Sequence, residues 1–552
     1  MTQSNTLNRI LRKPETLVFA FCLWVALTCN FGYWSIVAAN NTAEFLPGLA
    51  FLANMTLVTL GLISLVMLVL AVGPLTRIVL TLSLLVSAAA GYFTYKFGTL
   101  IDAEMLVNVV ETDAAEASDL LTLPFIASIV FFGALPAIAV WKFPLNRRRL
   151  PIAIRDRSVA LLLAISLIAG PLYFSQKEVV SFGRNHREVR HAIAPVNAIA
   201  AGIVLARDAL EAPPEFLNVG VDAVHMDAST TGLPRVHVLI VGETARAANF
   251  SLNGYSRDTN PELQALANVI YQSATSCGTA TATSLPCMLT QGGRIGFDRS
   301  VRRHQDNLLD IAARSGYSVH WVDNGNGCKG LCDRVDSRDV HLDAIDSICG
   351  DSECYDEILV HELKNLLRDI TGDTLIVLHQ LGSHGPAYFR RYPDEYRRFT
   401  PDCRSVNFGD CTNEQIVNSY DNTIAYTDHV IAAAIDVLAA EADHIRPSLT
   451  YMSDHGESLG EHNLFLHGMP YKLAPDEQKQ VPMISWFGDK HDQLVGLSSR
   501  CTLASKQHEI SHDNLFHTEL GLLDIDTNAY DADLDIYSDC LATTPMLAAG
   551  SH

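Results

Sequence analysis

Basic side chains are scarce in this chain: 40 Lys and Arg stand against 61 Asp and Glu over 552 residues, a formal net charge of −21. A balance this acidic argues against a nucleic-acid-binding role, so no nucleic-acid partner is expected. The sequence has no internal repeat, which excludes solenoids and propellers, and no low-complexity tract. It also lacks paired CxxC spacings, so its cysteines do not read as a zinc ribbon. Between Cys29 and Cys277 there is no cysteine at all.

What is present sits in two very different halves. Hydrophobic residues make up 48% of a strongly acidic chain, so the apolar residues must be segregated from the charge. They are concentrated in residues 1–175, where runs near the length of about 20 residues needed to span a bilayer cover Thr16–Val37, Leu46–Val72, Ile78–Phe97, Leu121–Trp141 and Val159–Phe174. Arg9, Arg12 and Lys13 precede the first run as in a signal peptide, but its length and the spans that follow make it a retained segment. Basic residues gather at the N-terminus, at Arg77, and at Lys142, Arg147, Arg148, Arg149, Arg155 and Arg157. By the positive-inside bias these segments are cytoplasmic, and an odd number of spans leaves the C-terminal half outside.

The other ten cysteines fall after residue 270 in close couples: Cys277/Cys287, Cys328/Cys332, Cys349/Cys354, Cys403/Cys411 and the looser Cys501/Cys540. Such couples suit an oxidising compartment, with neighbour pairing the simplest connectivity. The outer loop 99–119 carries Asn108, Thr112 and Glu116 at i, i+4, i+8, which predicts one face of a short surface helix. Read from spacing alone, that face is solvated. Residues 176–234 form a connecting region in which Asn197–Leu210 has amphipathic helical periodicity, expected to lie on the bilayer surface before Pro213 and Pro214 end it.

From Arg235 onward, short apolar strands alternate with helical stretches, the pattern of an α/β domain with a largely parallel sheet. The clearest strands are Val236–Val241, Ser318–Val322, Thr374–Leu378, Ser448–Met452 and Val481–Trp486. In open α/β sheets ligands bind beyond the carboxyl ends of the strands, and those ends carry Glu243, His379 to His384, and Asp454-His455-Gly456-Glu457. Between Cys277 and Cys287 lies a dense row of hydroxyls including Thr281. A threonine is a poor nucleophile unless a metal or base takes its proton. Glu243, Asp454 and His455 are oxygen, oxygen and nitrogen ligands suited to zinc, with Thr281 Oγ as a fourth, while His384, His467 and Lys329 remain for phosphate oxygens or a second metal.

These residues stand in Val241-Gly-Glu-Thr-Ala-Arg246, Ser276-Cys-Gly-Thr-Ala-Thr281, Gly382-Ser-His-Gly-Pro386, Asn418-Ser-Tyr-Asp-Asn-Thr423, Ser453-Asp-His-Gly-Glu-Ser-Leu-Gly460 and Leu466-His-Gly468. With them the sequence resembles the lipid A phosphoethanolamine transferases, including the mobilised colistin resistance enzymes, within the alkaline phosphatase and sulfatase superfamily. The resemblance covers nearly the whole chain. It implies an N-terminal α-helical membrane domain of five transmembrane helices (1–175, with the loop helix 99–119), a bridging helix and linker (176–234), and a periplasmic catalytic α/β domain of alkaline phosphatase/sulfatase type (235–552).

It further implies one or more Zn²⁺ held by Glu243, Thr281, Asp454 and His455, with Thr281 as nucleophile. Lys329, His379, His384 and His467 would lie around the phosphate, with His384 or His467 moving protons, and Asn108, Thr112 and Glu116 around the phosphoethanolamine group. The implied donor is phosphatidylethanolamine and the implied acceptor a lipid A phosphate, in a monomeric multi-pass protein of the bacterial inner membrane whose product confers polymyxin resistance. The acceptor is the less specified half: a core sugar or a periplasmic glucan fits the same donor chemistry. A phosphatase has no need of five spans, and a sulfatase would carry Cys-x-Pro-x-Arg, which the Cys277 context lacks. A non-catalytic membrane sensor is the remaining alternative, and the complete ligand set argues against it. His462 has no expected role.

Overall fold

The computed structural model describes residues 12–40, 45–112, 114–146, 148–211, 214–226, 232–297, 303–325, 327–340, 345, 348–349, 353–488 and 509–538. The chain forms two compact units, one of residues 1–110, 120–210 and 462–465, the other of residues 111–119, 211–461 and 466–552.

In the first unit, four uninterrupted apolar segments are long enough to cross a bilayer: Gly48–Leu70 within α3 (Phe45–Leu70), Gly73–Phe97, which contains α4 (Thr76–Phe97), Leu123–Lys142 (α7) and Leu150–Phe174 (α8). The first expected span is instead a bent pair, α1 (Pro14–Thr28) and α2 (Phe31–Ala39), with 58° between them. Asn30 explains the break. Its buried amide donates to Val25 O at 2.9 Å and Ala194 O at 3.1 Å and accepts from Ala194 N at 2.8 Å, so it serves the backbone of the bend. Within α7, Ile129–Ala134 widens to a π-helix.

The loop helix expected over 99–119 is two pieces, α5 (Ala103–Glu111) and α6 (Ala114–Leu120). Asn108 lies on α5, Thr112 falls in the break and Glu116 lies on α6, so the single continuous face expected for the three is corrected. After α8, α9 (Gln176–Asn185) and a 3₁₀ turn (Arg187–His191) lead to α10 (Val196–Leu210), which covers the expected bridging helix.

The second unit is built on an eight-stranded sheet. In chain order its strands are β1 (Arg235–Gly242), β2 (Val269–Thr275), β3 (Ser318–Asp323), β4 (Asp336–Asp339), β5 (Thr374–His379), β6 (Arg446–Ser453), β7 (Gln480–Phe487) and β8 (Ile510–Ser511), ordered β8-β2-β7-β6-β1-β5-β3-β4 across the sheet. All five expected strands are present. Pairing is parallel except that β7 runs antiparallel to both β2 and β6. β1, β5 and β6 are buried along their whole length, the mark of central parallel strands covered on both faces.

The helices include α11 (Thr281–Met288), α12 (Leu308–Ser315), α13 (Glu357–Leu367), α14 (Asn413–Ala440) and α15 (His512–Leu522). The apolar sides of α11, α12 and α15 close a core around Leu239, Val241, Trp321, Leu375, Met452 and Phe516. α14 is apolar enough to cross a membrane by length and composition, but it lies in this unit and is 67% buried over its apolar window, where Tyr420 and Thr423 hydrogen-bond the strand-end loops. Four expected disulfides are formed, Cys277–Cys287, Cys328–Cys332, Cys349–Cys354 and Cys403–Cys411, and Cys501 with Cys540 lies outside the described residues.

Candidate active site

The parallel order brings the carboxyl ends of β1, β5 and β6 side by side, and the loops leaving them carry the polar groups. The β1 and β6 registers continue one residue past the strands: Asp454 N donates to Gly242 O at 2.9 Å, placing Asp454 beside Glu243. The β1 end then turns sharply at Thr244, whose φ of 59° lies in the left-handed region. Tyr420 of α14 secures that turn by donating to Thr244 O at 2.8 Å and accepting from Arg246 N at 2.9 Å. In the β5 loop, Gly382 has φ 56°, and a Cβ there would stand 2.5 Å from Glu243 O, so only glycine allows this approach. Buried Asp356 fixes the loop by accepting from Leu381 N at 2.8 Å and Gly382 N at 2.9 Å.

Thr281 opens α11, and its loop is held through several backbone groups. Ser276 N donates to Lys479 O at 2.7 Å, Tyr471 OH donates to Ser276 O at 2.8 Å, and Gly468 N donates to Thr279 O at 2.8 Å. The result is a directed hydroxyl: Thr281 Oγ1 donates to Glu243 Oε2 at 2.9 Å and lies 3.3 Å from His455 Nε2. Glu243, Asp454 and His455 each offer a ligand atom within 4.8 Å of the others, and all three are buried.

That set fits a divalent metal such as zinc. Asp454 uses Oδ1 to accept from Thr244 N and His455 N, while its buried Oδ2 makes no hydrogen bond among the described residues. His455 Nδ1 faces Gly456 O at 3.0 Å, which fixes the proton there and leaves Nε2 a lone pair towards the carboxylates. Two buried carboxylates converging on one imidazole form a strained electrostatic arrangement unless a cation joins them. The charges register this. Burial raises the Glu243 carboxyl, but the imidazoles of His455, His384 and His467 outweigh it and hold Glu243 low. Burial and then the Glu243 charge push Asp454 up. His455 is pulled down by burial and, more strongly, up by Asp454 and Glu243.

The other expected residues fall into two groups. His467 and His384 stand together, ring centroids 5.2 Å apart, and His467 lies 4.4 Å from the His455 ring. His379 is placed differently: fully buried, it binds Asp323 Oδ2 through Nδ1 at 3.0 Å, and Asp323 Oδ1 in turn accepts from Gly325 N and Gly327 N. Burial lowers the His379 pKa, and Asp323 more than restores it. Its place is thus to anchor the loop leading to Lys329, which sits half-buried in the Cys328–Cys332 turn with φ 52°. His462, exposed with φ 53°, lies in the segment 462–465 and belongs to the first unit.

Sequence reasoning assigned no role to two residues in particular. Glu457 is fully buried, accepts from Tyr388 OH, and faces His467 Nδ1 at 2.9 Å; burial pushes its carboxyl up to about 8. Its signal was its place two residues beyond His455. His512 accepts from Cys277 N through Nδ1 at 3.1 Å and faces Ser453 O through Nε2 at 2.9 Å, tying the Thr281 loop to the β6 end. A third group, Arg391, donates from Nε to His384 O at 3.0 Å and pairs with Glu353, with Asp119 at 3.9 Å.

A family model described as Sulfatase matches residues 235–525, and one described as Phosphoethanolamine transferase EptA/EptB matches residues 59–210. Phosphoethanolamine transferase EptA of Escherichia coli K12 is 38% identical over 97% of this chain and 99% of its own. The chain belongs to the phosphoethanolamine transferase family. Phosphatidylethanolamine transferase Mcr-1 of Escherichia coli is 33% identical over 93% of this transferase and 95% of itself. Among solved structures, the integral membrane lipooligosaccharide phosphoethanolamine transferase A of Neisseria meningitidis superposes with a TM-score of 0.92 at 35% identity, covering 95% of this chain and 98% of that one. This transferase is therefore a multi-pass helical membrane protein joined to a sulfatase-type α/β domain.

Proposed function

We propose that this transferase moves phosphoethanolamine from phosphatidylethanolamine to a phosphate of lipid A, through a covalent phosphoethanolamine ester on Thr281. The observation that carries the reading is the hydroxyl of Thr281, held 2.9 Å from Glu243 and 3.3 Å from His455 at the start of a helix. The donor follows the name of the Mcr-1 relative, and the acceptor class that of the Neisseria relative.

Glu243, Asp454, His455 and Thr281 are the residues that would hold zinc. When bound, zinc supplies Lewis acidity that lowers the hydroxyl's pKa and offsets negative charge. The chain's own groups do the rest. Glu243 takes the hydrogen bond of Thr281 and orients Oγ1 for attack. As the Oγ1–phosphorus bond forms, the bond to the glycerol oxygen breaks, and the proton of the Thr281 hydroxyl reaches the departing diacylglycerol oxygen through His467 or His384. In the second step a lipid A phosphate oxygen attacks the same phosphorus, the Oγ1 bond breaks, and the proton of the attacking phosphate returns to Oγ1 through the same histidine. Glu457 and Tyr388 keep His467 facing the site, while Lys329 balances phosphate charge. By the resemblance, Asn108, Thr112 and Glu116 are the residues assigned to the ethanolamine group.

Both substrates are lipids, which accounts for the apolar unit, and the orientation is that of an inner-membrane protein with its catalytic unit in the periplasm, acting as a monomer. The product places an ammonium on an anionic headgroup, weakening attraction for cationic peptides such as polymyxins. The test is lipid A mass spectrometry from a susceptible Gram-negative host expressing wild type or Thr281→Ala. A phosphoethanolamine-sized addition with the wild type alone supports the reading; unchanged lipid A from both, with the protein present in the membrane, defeats the acceptor assignment and points to core sugars or glucans.

A further inference from the structure

Immediately after α8 ends at Phe174, the chain presents a row of cations that no step of the reaction uses. Lys177, Arg184, Arg187 and Arg190 are all exposed; Lys177 and Arg184, seven residues apart, share a side of α9, and Arg187 and Arg190, three apart, share a side of the 3₁₀ turn that follows. The opposite side is committed to the fold: Val179, Phe182 and Val189 are buried, and the Phe182 ring lies 5.2 Å from Phe51 of α3. Tyr173, 81% exposed at the end of the span, marks the level of the bilayer interface, where aromatics with one wet edge collect. The stripe therefore lies at headgroup height.

Two features call for an anionic occupant. Within residues 176–191 four cations are set against only Glu178 and Glu188, a local excess of positive charge on a protein whose net charge is −21. On the orientation proposed above, the segment is also on the outer side, where the positive-inside bias disfavours Lys and Arg beside a span. Cations retained there against that bias have something to bind.

We propose that Lys177, Arg184, Arg187 and Arg190 form a docking surface for the phosphates of the acceptor glycolipid, lipid A, which rests on the function proposed above. Arginine is suited to this because its planar fork pairs with phosphate oxygens through two parallel hydrogen bonds. A glycolipid with phosphates at separated positions engages several members of a spaced stripe at once, whereas a singly charged phospholipid engages one. The stripe gathers acceptor from the leaflet and leaves the donor, whose headgroup is zwitterionic, without preference.

The experiment uses the full-length protein in phosphatidylethanolamine vesicles containing lipid A, and in matched vesicles with phosphatidylglycerol. Each Arg→Gln change should lower kcat/KM for lipid A by about fivefold at low salt, the weight of one interfacial charge, and the four-fold Gln variant by at least a hundredfold. Diacylglycerol release in lipid A-free vesicles should stay at the wild-type rate, which also reports correct folding, and replacing the three arginines by lysine should restore most of the loss. An active wild type with an unchanged KM for lipid A in the Gln variant overturns the docking surface alone. Phosphatidylglycerol competing for the wild type as strongly as added lipid A overturns it too, in favour of general acidic-lipid attraction. A wild type that releases diacylglycerol yet leaves lipid A unmodified overturns the function reading and this inference with it.

Discussion

Replacing His512 by alanine tests whether the nucleophile loop is held from the far end of the chain. The imidazole is fully buried and uses both nitrogens, accepting from Cys277 N at 3.1 Å and donating to Ser453 O at 2.9 Å. Removing it leaves one amide and one carbonyl unpaired in a dry site, at about 1–3 kcal/mol each, before any cavity is counted. The expected local loss is therefore about 2–6 kcal/mol.

The same geometry sets a pH dependence. Burial lowers the His512 pKa from 6.5 to about 4, with the Ser453 hydrogen bond opposing it. Because the folded value lies below the unfolded one, the neutral form's contribution is complete above pH 6.5 and is lost as pH falls towards 4. At about 1.4 kcal/mol per pH unit, the two and a half units are worth about 3 kcal/mol. Hydrogen exchange of the peptide spanning residues 276–288, in the detergent-solubilised full-length protein, measures both effects. Wild type should lose protection in that peptide between pH 6.5 and 4 more steeply than His512→Ala, which should begin less protected. Equal protection in the two proteins at pH 7, or equal slopes, would refute the reasoning.

Asp454→Asn removes a carboxylate from the candidate ligand set; zinc bound per protein, read by elemental mass spectrometry after dialysis, should fall at least tenfold in affinity with the circular dichroism spectrum retained. Replacing Cys277 and Cys287 together by serine opens a loop of sequence separation 10, and loop-closure entropy gives a loss of about 3 kcal/mol, visible as a lowered thermal midpoint of the catalytic unit. Tyr388→Phe removes the hydroxyl that Glu457 accepts from, and should cost about 1 kcal/mol of stability while lowering kcat more than it alters KM, because His467 loses its orientation rather than its substrate.

Much of the architecture was legible because it depends on local patterns. The five apolar runs and the five strands announce themselves by length and composition, and the groups at the strand ends follow from the parallel order. What escaped was non-local or locally unmarked. β4 reads Asp-Ser-Arg-Asp and is exposed throughout, so no hydrophobic signal betrays it. β2 lies just before the hydroxyl-rich loop, and its partly buried pattern comes from pairing with β7, more than 200 residues away. His512 is 235 residues from the amide it receives, beyond any spacing argument. The bend at Asn30 did have a signal, one amide within an apolar run, but its partner Ala194 is 164 residues on. The Asn108, Thr112, Glu116 spacing suggested a continuous helix that the chain interrupts at Thr112.

The central claim is that Thr281 carries phosphoethanolamine between the two lipids. The most direct measurement is peptide mass spectrometry of the purified full-length protein incubated with phosphatidylethanolamine and no acceptor. The account predicts a phosphoethanolamine adduct on Thr281, formed in step with diacylglycerol release, discharged on adding lipid A, and missing from Thr281→Ala. Diacylglycerol released and lipid A modified at normal rates with no adduct on Thr281, or with Thr281→Ala as active as the wild type, would contradict it.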